Sequence, residues 1–233
     1  MTEKTPLILL PGLLCDAALW RHQAETLSDL AQPIVVDLTE FDSVSAMARS
    51  VLAAAPERFC LAGLSMGGYV ALEIMRQAPD RVLRLALVDT AAAADTPEQK
   101  ARRRGLIDLT EKGEFRGVTD RLLPLLIHHD RLSDLSLTDT VKAMAERVGK
   151  DAFKRQQRAI MNRPDGRNDL SLIHCPTVII CGRQDSLTPL AGQVGMAAAI
   201  ARAKLVVIEE CGHLAPLEQP AAVSAVLRYW LQT

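Results

Sequence analysis

Short apolar runs alternate with amphipathic stretches over the first 90 residues and again near the end of the chain. The apolar runs are continuous rather than alternating, which is typical of strands that are buried on both faces. Runs of this kind occupy residues 7–10, 34–38, 58–62, 82–88, 177–181 and 204–208. Helical patterns lie between them. The sequence therefore predicts an α/β fold, with a mostly parallel six-stranded sheet and helices on both faces.

Helical patterns with recognisable ends support this reading. They cover residues 17–30, 43–54, 68–76 and 221–231. Ser43 is placed to cap the second of them, because a serine hydroxyl accepts a hydrogen bond from an unpaired amide of the first turn. Pro220 opens the last one, since proline suits the first turn of a helix.

Residues 95–169 differ from the rest, because they carry long helical patterns and no strand pattern. We therefore predict a single domain over residues 1–233. Its core comprises residues 1–94 and 170–233, and residues 95–169 form a helical lid insertion between the fourth and fifth strands. A chain of 233 residues with 48% hydrophobic composition can bury one substantial core.

Net charge, apolar run length and the first residues of the chain bear on which partners and which compartment we expect. The formal net charge is -1, which gives no electrostatic argument for nucleic-acid binding. No apolar run approaches the roughly 18 residues of a membrane span. The first residues lack the positive start, apolar stretch and cleavage site of a signal peptide. We expect a cytoplasmic protein with no nucleic-acid or membrane partner.

The five cysteines are scattered, without a C-x-x-C pair. We expect reduced thiols that act mostly as small buried apolar groups. Cys15 and Cys211 lie near the candidate site described next, which leaves a catalytic thiol as a weaker alternative to the serine found there.

The strongest chemical signal is the segment Gly63-Leu64-Ser65-Met66-Gly67, between an apolar run and a helical pattern. A G-x-S-x-G motif at a strand–turn–helix junction is typical of a nucleophile elbow, in which a strained turn lifts the serine hydroxyl clear of the sheet. The flanking glycines leave room for the neighbouring strand and helix. We predict Ser65 as a nucleophile, with an ordinary glycine-rich turn as the alternative.

A serine nucleophile needs a base whose pKa is near the working pH, and this requirement points to histidine. His213 is the histidine that follows a strand in a loop near the C-terminal end, and we predict it as the base. His128 and His129, in the insertion, are candidates for substrate contacts. We expect His174 to pack at a strand entrance and His22 to lie on a helix surface.

The base in turn needs an orienting acid from a strand end, because ligands of parallel α/β sheets bind at the carboxyl ends of the strands. Asp185 follows the fifth apolar run and Asp89 ends the fourth. We predict Asp185 as the acid, because it yields the chain order Ser, Asp, His. Asp89 is the alternative, and its other role would be hydrogen bonding to backbone at the start of the insertion.

Acyl transfer also needs backbone N–H groups that stabilise the developing oxyanion. The residue after the serine supplies one donor, so Met66 is the first prediction. The second donor should come from the loop after the first strand. We predict Leu13, with Leu14 as the fallback and a simple Pro-Gly turn as the other interpretation.

Taken together, these segments resemble the α/β-hydrolase fold superfamily, and among its members the small bacterial serine carboxylesterases that include carrier-protein methyl ester esterases. The matching segments are 10–13, 63–68, 176–185 and 212–220. The resemblance covers the predicted core. It implies a catalytic triad of Ser65, His213 and Asp185, a lid that sets substrate choice, and no metal or organic cofactor.

Two departures from the superfamily's pattern stand out. Many relatives carry His-Gly where this chain has Pro11-Gly12, so the side chain in the oxyanion loop differs while the backbone donor can survive. The chain is also expected to begin at the family's third strand, without the usual first hairpin.

Several reactions fit such a site. The leading hypothesis is a serine hydrolase that cleaves a small carboxylic ester through an acyl-enzyme. A thioesterase, an acyltransferase or a carbon–carbon bond hydrolase would use the same residues. A non-catalytic ligand receptor that retains the fold is the alternative from a different functional class.

The insertion differs in charge from the rest of the chain. Lysine and arginine outnumber aspartate and glutamate within it, whereas the whole chain has 27 Lys/Arg and 28 Asp/Glu. Arg102, Arg103 and Arg104 form its densest cluster, read either as a solvated helix face or as a contact for an acidic substrate or carrier protein. The apolar stretch 122–127, interrupted by Pro124, is expected to pack the lid onto the core.

Overall fold

Six parallel strands form one sheet at the centre of the molecule. The structure is a computed structural model and describes residues 4–113, 115 and 117–233. The strands are β1 (Thr5–Leu10), β2 (Ala31–Val35), β3 (Phe59–Leu64), β4 (Val82–Val88), β5 (Thr177–Gly182) and β6 (Ala203–Ile208). Their order across the sheet is β2-β1-β3-β4-β5-β6. All five pairs are parallel, which confirms the predicted architecture.

The second strand is the one whose predicted position was wrong. The apolar run at 34–38 predicts a strand there, but β2 starts three residues earlier, at Ala31. β2 lies at the edge of the sheet and pairs only with β1, whose Thr5 stands opposite Ala31. The partner's register therefore determines where this half-buried edge strand begins. Pro33 is tolerated because an edge strand has one side without a ladder partner.

Nine α-helices surround the sheet in the described part of the chain. They are α1 (Arg21–Thr26), α2 (Val44–Ala54), α3 (Met66–Gln77), α4 (Pro97–Lys112), α5 (Leu123–Leu126), α6 (Leu135–Met161), α7 (Leu190–Ala199), α8 (Ala215–Glu218) and α9 (Pro220–Gln232). Ser43 caps α2 by accepting a hydrogen bond from the Ala46 amide, and Pro220 opens α9, as predicted. The predicted helix at 17–30 is shorter, with a 3₁₀ turn followed by α1. Sequence patterns did not reveal α7.

The alternation of side chains along β1 divides the core into two layers. Leu7 and Leu9 belong to a cluster on one face, with residues of α9 and of the segment between β4 and β5. Ile8 and Leu10 belong to the cluster on the other face, with residues of α2 and α3. Because successive strand side chains point to opposite faces, each strand is covered on both sides.

The described residues between β4 and β5 form helices and loops without a strand, and they include α4, α5 and α6. α6 is two helical segments joined at Gly149, whose φ of 76° and ψ of 176° are not helical. The segment after Gly149 is firmly buried, since Gln156, Ala159 and Ile160 are at most 2% exposed. Leu123 and Ile127, from the predicted packing stretch, are buried against the core.

None of the helices in the described residues is long and apolar enough to cross a membrane.

Candidate active site

Ser65 occupies the sharp turn between β3 and α3. Its φ of 52° and ψ of -113° put a non-glycine residue in a strained conformation. The backbone N–H of Ser65 donates to the carbonyl of Val88 at 3.0 Å, which ties the turn to the end of the neighbouring strand. The turn therefore has the geometry expected of a nucleophile elbow.

Close backbone approach explains the two glycines of the motif. A Cβ on Gly63 would collide with the backbone of Gly67 and Gly68 across the turn. A Cβ on Gly67 would collide with the carbonyl of Leu10 at the end of β1. The glycines let β3, α3 and β1 meet at the point where Ser65 is presented.

Thr90 supports the elbow from the loop just after β4. Its hydroxyl donates to the Ser65 carbonyl at 2.7 Å, and its own carbonyl accepts a hydrogen bond from Gln193 of α7 at 2.5 Å. Both side chains are fully buried. A hydrogen-bonded chain therefore runs from α7 to the strained turn.

His213 and Asp185 form a buried hydrogen-bonded pair. His213 lies in the loop after β6 and Asp185 in the loop after β5, so both follow carboxyl ends of strands, as Ser65 does. His213 Nδ1 lies 2.9 Å from Asp185 Oδ2, and both residues are 4% exposed. With Nδ1 occupied in this way, the other ring nitrogen, Nε2, is left for another partner.

Hydrogen bonds hold Asp185 in its charged form despite burial. Burial by itself would raise the pKa of this carboxyl. Electrostatic attraction to the His213 ring and hydrogen bonds from His213 and Thr188 outweigh it, so the pKa lies below its ordinary value. The Thr188 hydroxyl donates to Oδ2, and the backbone N–H groups of Leu187 and Thr188 donate to Oδ1. A charged Asp185 favours the imidazole tautomer that carries its proton on Nδ1.

Asp89, the alternative acid, has a different set of partners. Its side chain accepts hydrogen bonds from the Gly182 amide at 2.7 Å and the Ala215 amide at 3.4 Å. Burial, and after it the nearby charge of Asp185, raise its pKa well above the ordinary range. Asp89 therefore joins the end of β5 to the loop that carries His213.

The loop after β1 forms a tight turn beside Ser65. The Cys15 amide donates to the Gly12 carbonyl at 3.1 Å, and Leu14 has a positive φ of 58°. The Leu14 amide donates to Gln156 Oε1 at 3.1 Å and is already engaged. This contact weakens Leu14 as the fallback oxyanion donor. Met66 is the first residue of α3, so its N–H is one of the initial amides without a partner inside the helix.

Glu218 is a buried acceptor that sequence reasoning missed. Its carboxylate, in a residue 1% exposed, accepts backbone hydrogen bonds from His128, Gly212 and Leu214 at 2.6–3.1 Å. Burial raises its pKa, and these hydrogen bonds oppose the rise. The Leu126 carbonyl also accepts from the His213 and Leu214 amides. The loop that carries His213 is thus fastened to the end of α5 and to the residues that follow it.

Weak sequence signals explain why these buried partners were missed. Glu218 stands in the segment 212–220 that resembles relatives, and a lone acid beside apolar residues could have marked it as buried. Thr90 and Gln156 carry no such signal, because their partners lie 25 and 142 positions away along the chain.

The other histidines occupy varied surroundings. His128 is 5% exposed, whereas the side chain of His129 is 76% exposed. The structure corrects one expectation, because His174, in the loop before β5, is exposed rather than packed. His22 lies on α1 and is half-buried, with Nδ1 2.9 Å from the Ser224 hydroxyl of α9.

The candidate thiols are poorly suited to nucleophilic chemistry. Burial, with the charge of Asp16, raises the pKa of Cys15 to about 12. Burial, followed by the charge of Glu218, raises the pKa of Cys211 further. Neither thiol is ionised near neutral pH, and the thiolate is the reactive form.

Arg103 departs from the expectation of one exposed arginine cluster. Arg102 and Arg104 are exposed, but Arg103 points inward. Its guanidinium donates to Asp95 Oδ2 at 2.6 Å and to Gln157 Oε1 at 2.8 Å. Since the side chain of Asp95 is 1% exposed, Arg103 neutralises a buried charge.

A cavity of about 240 Å³ runs along α3, lined by Tyr69, Leu72, Ala92 and Arg163 among others. Ser65, Asp185 and His213 are not among its described lining residues. Arg163 is held by Asp95 at 2.7 Å and lies over the ring of Tyr69. The charge of this lining residue is therefore already paired.

One group among the described residues brings three potential metal ligands together, namely His128, His129 and Asp130. Two of the three residues are exposed, and Nδ1 of His128 already accepts a hydrogen bond from the Asp130 amide at 3.3 Å. The group therefore does not have the enclosed arrangement of a structural zinc site.

Comparison with known proteins agrees with this architecture. The chain belongs to the alpha/beta hydrolase family, whose model matches residues 7–226. A pimeloyl-[acyl-carrier protein] methyl ester esterase from Aliivibrio salmonicida is 29% identical, over 91% of this chain and 86% of that protein. This confirms the resemblance seen in the sequence.

Solved structures give the same result. A thermophilic esterase from Thermogutta terrifontis, solved with malate bound, has a TM-score of 0.89 and 28% identity, covering 99% of this chain and 90% of the other. An enol-lactonase from Burkholderia xenovorans has a TM-score of 0.85 at 22% identity, covering 99% and 92%, and shares the fold. The protein is a hydrolase of the alpha/beta hydrolase family.

Proposed function

We propose that the protein is a serine esterase that cleaves a small carboxylic ester, with Ser65 as nucleophile, His213 as base and Asp185 as orienting acid. The observation that carries this proposal is the buried His213–Asp185 hydrogen bond of 2.9 Å. It lies at the carboxyl ends of the strands, where Ser65 also stands in a strained turn. A serine hydroxyl becomes a good nucleophile only when a base can take its proton and an acid orients that base. His213 and Asp185 are the candidates for these two roles.

The proposed chemistry has two halves. His213 Nε2 takes the proton of the Ser65 hydroxyl while Oγ attacks the ester carbonyl, and the tetrahedral intermediate expels the alcohol, which takes that proton. The resulting acyl-enzyme is then attacked by water, with His213 again as base. The carboxylic acid leaves and the serine hydroxyl is restored.

The oxyanion of each tetrahedral intermediate would be stabilised by the backbone N–H groups of Leu13 and Met66. Met66 follows the nucleophile at the start of α3, and its amide lacks a partner inside the helix. Leu13 is favoured over Leu14 because the Leu14 amide is engaged by Gln156. Preorganised donors of this kind are worth about 10²–10³ in rate each.

An ester presented by an acidic carrier protein is the finer proposal for the substrate. Relatives with the name pimeloyl-[acyl-carrier protein] methyl ester esterase support it. The exposed Arg102 and Arg104 of α4 add positive charge to the insertion, which we propose to act as the lid over the site.

The test is a comparison of wild type with Ser65→Ala. We expect wild type to be labelled at Ser65 by a fluorophosphonate and to turn over short-chain aryl and methyl esters many times. Ser65→Ala should lose both properties while it keeps the wild-type melting temperature. Ester hydrolysis by purified Ser65→Ala within tenfold of wild type would rule out Ser65 as nucleophile. Labelling without turnover would favour a ligand receptor.

A further inference from the structure

Gln156 of α6 lies far from the candidate triad in sequence, yet it contacts the loop that carries the candidate oxyanion donor. We propose that Gln156 is a positioning residue for the oxyanion hole: it holds the turn at residues 12–15 in the conformation that offers the Leu13 N–H to the substrate. The proposal rests on the proposed esterase function.

The contacts of Gln156 account for both ends of its amide. Its side chain is 0% exposed. Oε1 accepts the Leu14 N–H at 3.1 Å, and Nε2 donates to the Leu38 carbonyl at 3.3 Å. Gln156 therefore bridges the loops that follow β1 and β2. Because one end of the group must accept and the other must donate, a buried primary amide suits the position.

The turn itself needs a support of this kind. Residues Gly12 to Cys15 are closed by the Cys15 N–H···O=C Gly12 hydrogen bond, and the third residue, Leu14, has a φ of 58°. A positive φ at the third position is typical of a type II turn, where glycine is preferred. A leucine there is strained by roughly 1–2 kcal/mol. Without a partner for the Leu14 N–H, the Leu13–Leu14 peptide can rotate toward a type I turn.

Both polar groups of that peptide are held in the structure. The Leu13 carbonyl accepts a hydrogen bond from Cys15 Sγ at 3.5 Å, and the Leu14 N–H is held by Gln156. A second contact from α6 holds the same loop, since Arg147 pairs with Asp16 at 2.6 Å. The Leu13 N–H belongs to the preceding peptide, Gly12–Leu13, so Gln156 acts on it by anchoring the turn as a whole against α6 and the loop after β2. The contacts of α6 with the loop thus contribute to the position of the proposed oxyanion donor.

Gln156→Met tests the proposal, because methionine keeps the length and packing of the side chain but removes the acceptor and the donor. The matched control is Gln157→Met. Gln157 is adjacent and 2% exposed, and it accepts a hydrogen bond from Arg103 instead. Rates are measured on a short-chain aryl ester and normalised to the fraction of Ser65 that a fluorophosphonate labels.

Loss of an oriented oxyanion donor should lower kcat about 10- to 100-fold for Gln156→Met, with KM within about threefold. Affinity for an aryl trifluoromethyl ketone, whose adduct with serine places an oxyanion in the same hole, should fall by a similar factor. Gln157→Met should keep kcat and ketone affinity within about threefold of wild type. A purely structural role would lower the melting temperature without this separation of kcat from KM.

Gln156→Glu is the second variant, and it keeps the test decisive where the methionine variant folds poorly. A protonated glutamate accepts from Leu14 and donates to Leu38, as glutamine does. We expect the activity of Gln156→Glu relative to wild type to rise as pH falls. A ratio that is flat with pH, or a folded Gln156→Met with wild-type kcat and ketone affinity, would overturn the role of Gln156 while wild-type ester hydrolysis still stands. Failure of the wild type itself would instead reject the esterase.

Discussion

Two buried aspartates near the His213 loop differ in their hydrogen-bond partners and in the direction of their pKa shifts. Asp185 pairs with His213, and its pKa is held below the ordinary value even though burial would raise it. Among the described residues, the Asp89 side chain accepts hydrogen bonds from two backbone amides, and burial together with the charge of Asp185 raises its pKa. This separation of pKa values supports the proposed division of roles, in which Asp185 orients the imidazole and Asp89 braces the backbone.

This division predicts different outcomes for the same substitution. Asp185→Asn should lower kcat by about 10³–10⁴, because an amide there favours the wrong histidine tautomer. Asp89→Asn should cost less than about tenfold, because the amide oxygen can keep the 2.7 Å contact with the Gly182 amide and only the longer 3.4 Å contact with the Ala215 amide is lost. Steady-state rates of both variants, at equal labelling of Ser65, make the comparison. A larger loss in folded Asp89→Asn would reverse the assignment of the acid.

The raised pKa of Asp89 also has a consequence for stability. A group whose pKa is higher in the folded protein than its unfolded value of about 3.9 stabilises the fold fully below that value and progressively less as pH rises through its folded pKa. The melting temperature of Asp89→Asn should therefore gain on wild type as pH rises above about 4. Scans at matched ionic strength measure the difference, and a difference that is constant with pH would contradict the raised pKa.

The hydrogen bonds of Glu218 predict that replacing this residue moves His213, the proposed base. In Glu218→Gln, an NH₂ group would face backbone N–H groups of Gly212, Leu214 or His128, so the loop that carries His213 must shift. A displacement of about 1 Å can cost up to 10²-fold, and we expect kcat to fall roughly 10- to 100-fold. Glu209→Gln is the control, because Glu209 is exposed and pairs with Arg183 at the surface. Equal rates for the two variants would show that Glu218 does not position His213.

At the scale of elements, local patterns predicted where the strands and their chemistry lie but not how the elements hold one another. The strands β3, β4 and β5 are buried on both faces, so continuous apolar runs mark them closely. The predicted bounds of the edge strand β2 differ from the observed ones, because those bounds depend on pairing with β1. Ser65, His213 and Asp185 follow strand ends and could be predicted, whereas Glu218 and Gln156 act through contacts that no local pattern encodes.

The kink in α6 shows how two glycines in helices can have opposite roles. Gly149 has a φ of 76° and a ψ of 176°, which is accessible to glycine but strained for alanine, although its Cβ would meet open space. Gly105 lies within α4, and its Cβ would also meet open space. Backbone conformation alone should therefore decide the sign of a Gly→Ala substitution at each site.

We predict that Gly149→Ala lowers the free energy of unfolding by about 1–3 kcal/mol. Gly105→Ala should raise the free energy of unfolding by about 0.5–1 kcal/mol, because alanine loses less backbone entropy in a helix. Urea denaturation of the two variants against wild type gives both values. Stabilisation by Gly149→Ala would mean that the two segments of α6 can straighten into one helix at no cost.

At the scale of the whole molecule, the segment between β4 and β5 is bound to the core by several long-range hydrogen bonds and by an ion pair. Gln156 and Arg147 hold the loop after β1, and Leu126 and His128 hold the loop that carries His213. The sequence predicted this segment as a helical insertion, but these long-range pairs depend on how the helices dock. The second half of α6 accordingly supports the loop after β1, in addition to its proposed role as part of the lid.

The charge of this segment yields a prediction about the substrate. Arg102 and Arg104 are exposed on α4, whereas Arg103 faces inward to Asp95. If the substrate is carried by an acidic protein, the joint substitution of Arg102 and Arg104 by glutamine should lower kcat/KM several-fold for a methyl ester on such a carrier. The loss should shrink as salt is added, and a neutral aryl ester should be hydrolysed as by wild type.

Arg103→Gln serves as the internal comparison for that experiment. It leaves the buried Asp95 with Arg163 as its remaining described cationic partner, so we expect a loss of about 1–3 kcal/mol in the free energy of unfolding. Because the Arg103 guanidinium faces Asp95 and Gln157, its removal should not discriminate between the carrier ester and the aryl ester. Equal kcat/KM for the carrier ester in wild type and the Arg102/Arg104 double variant, at low salt, would show that these charges do not recruit an acidic partner.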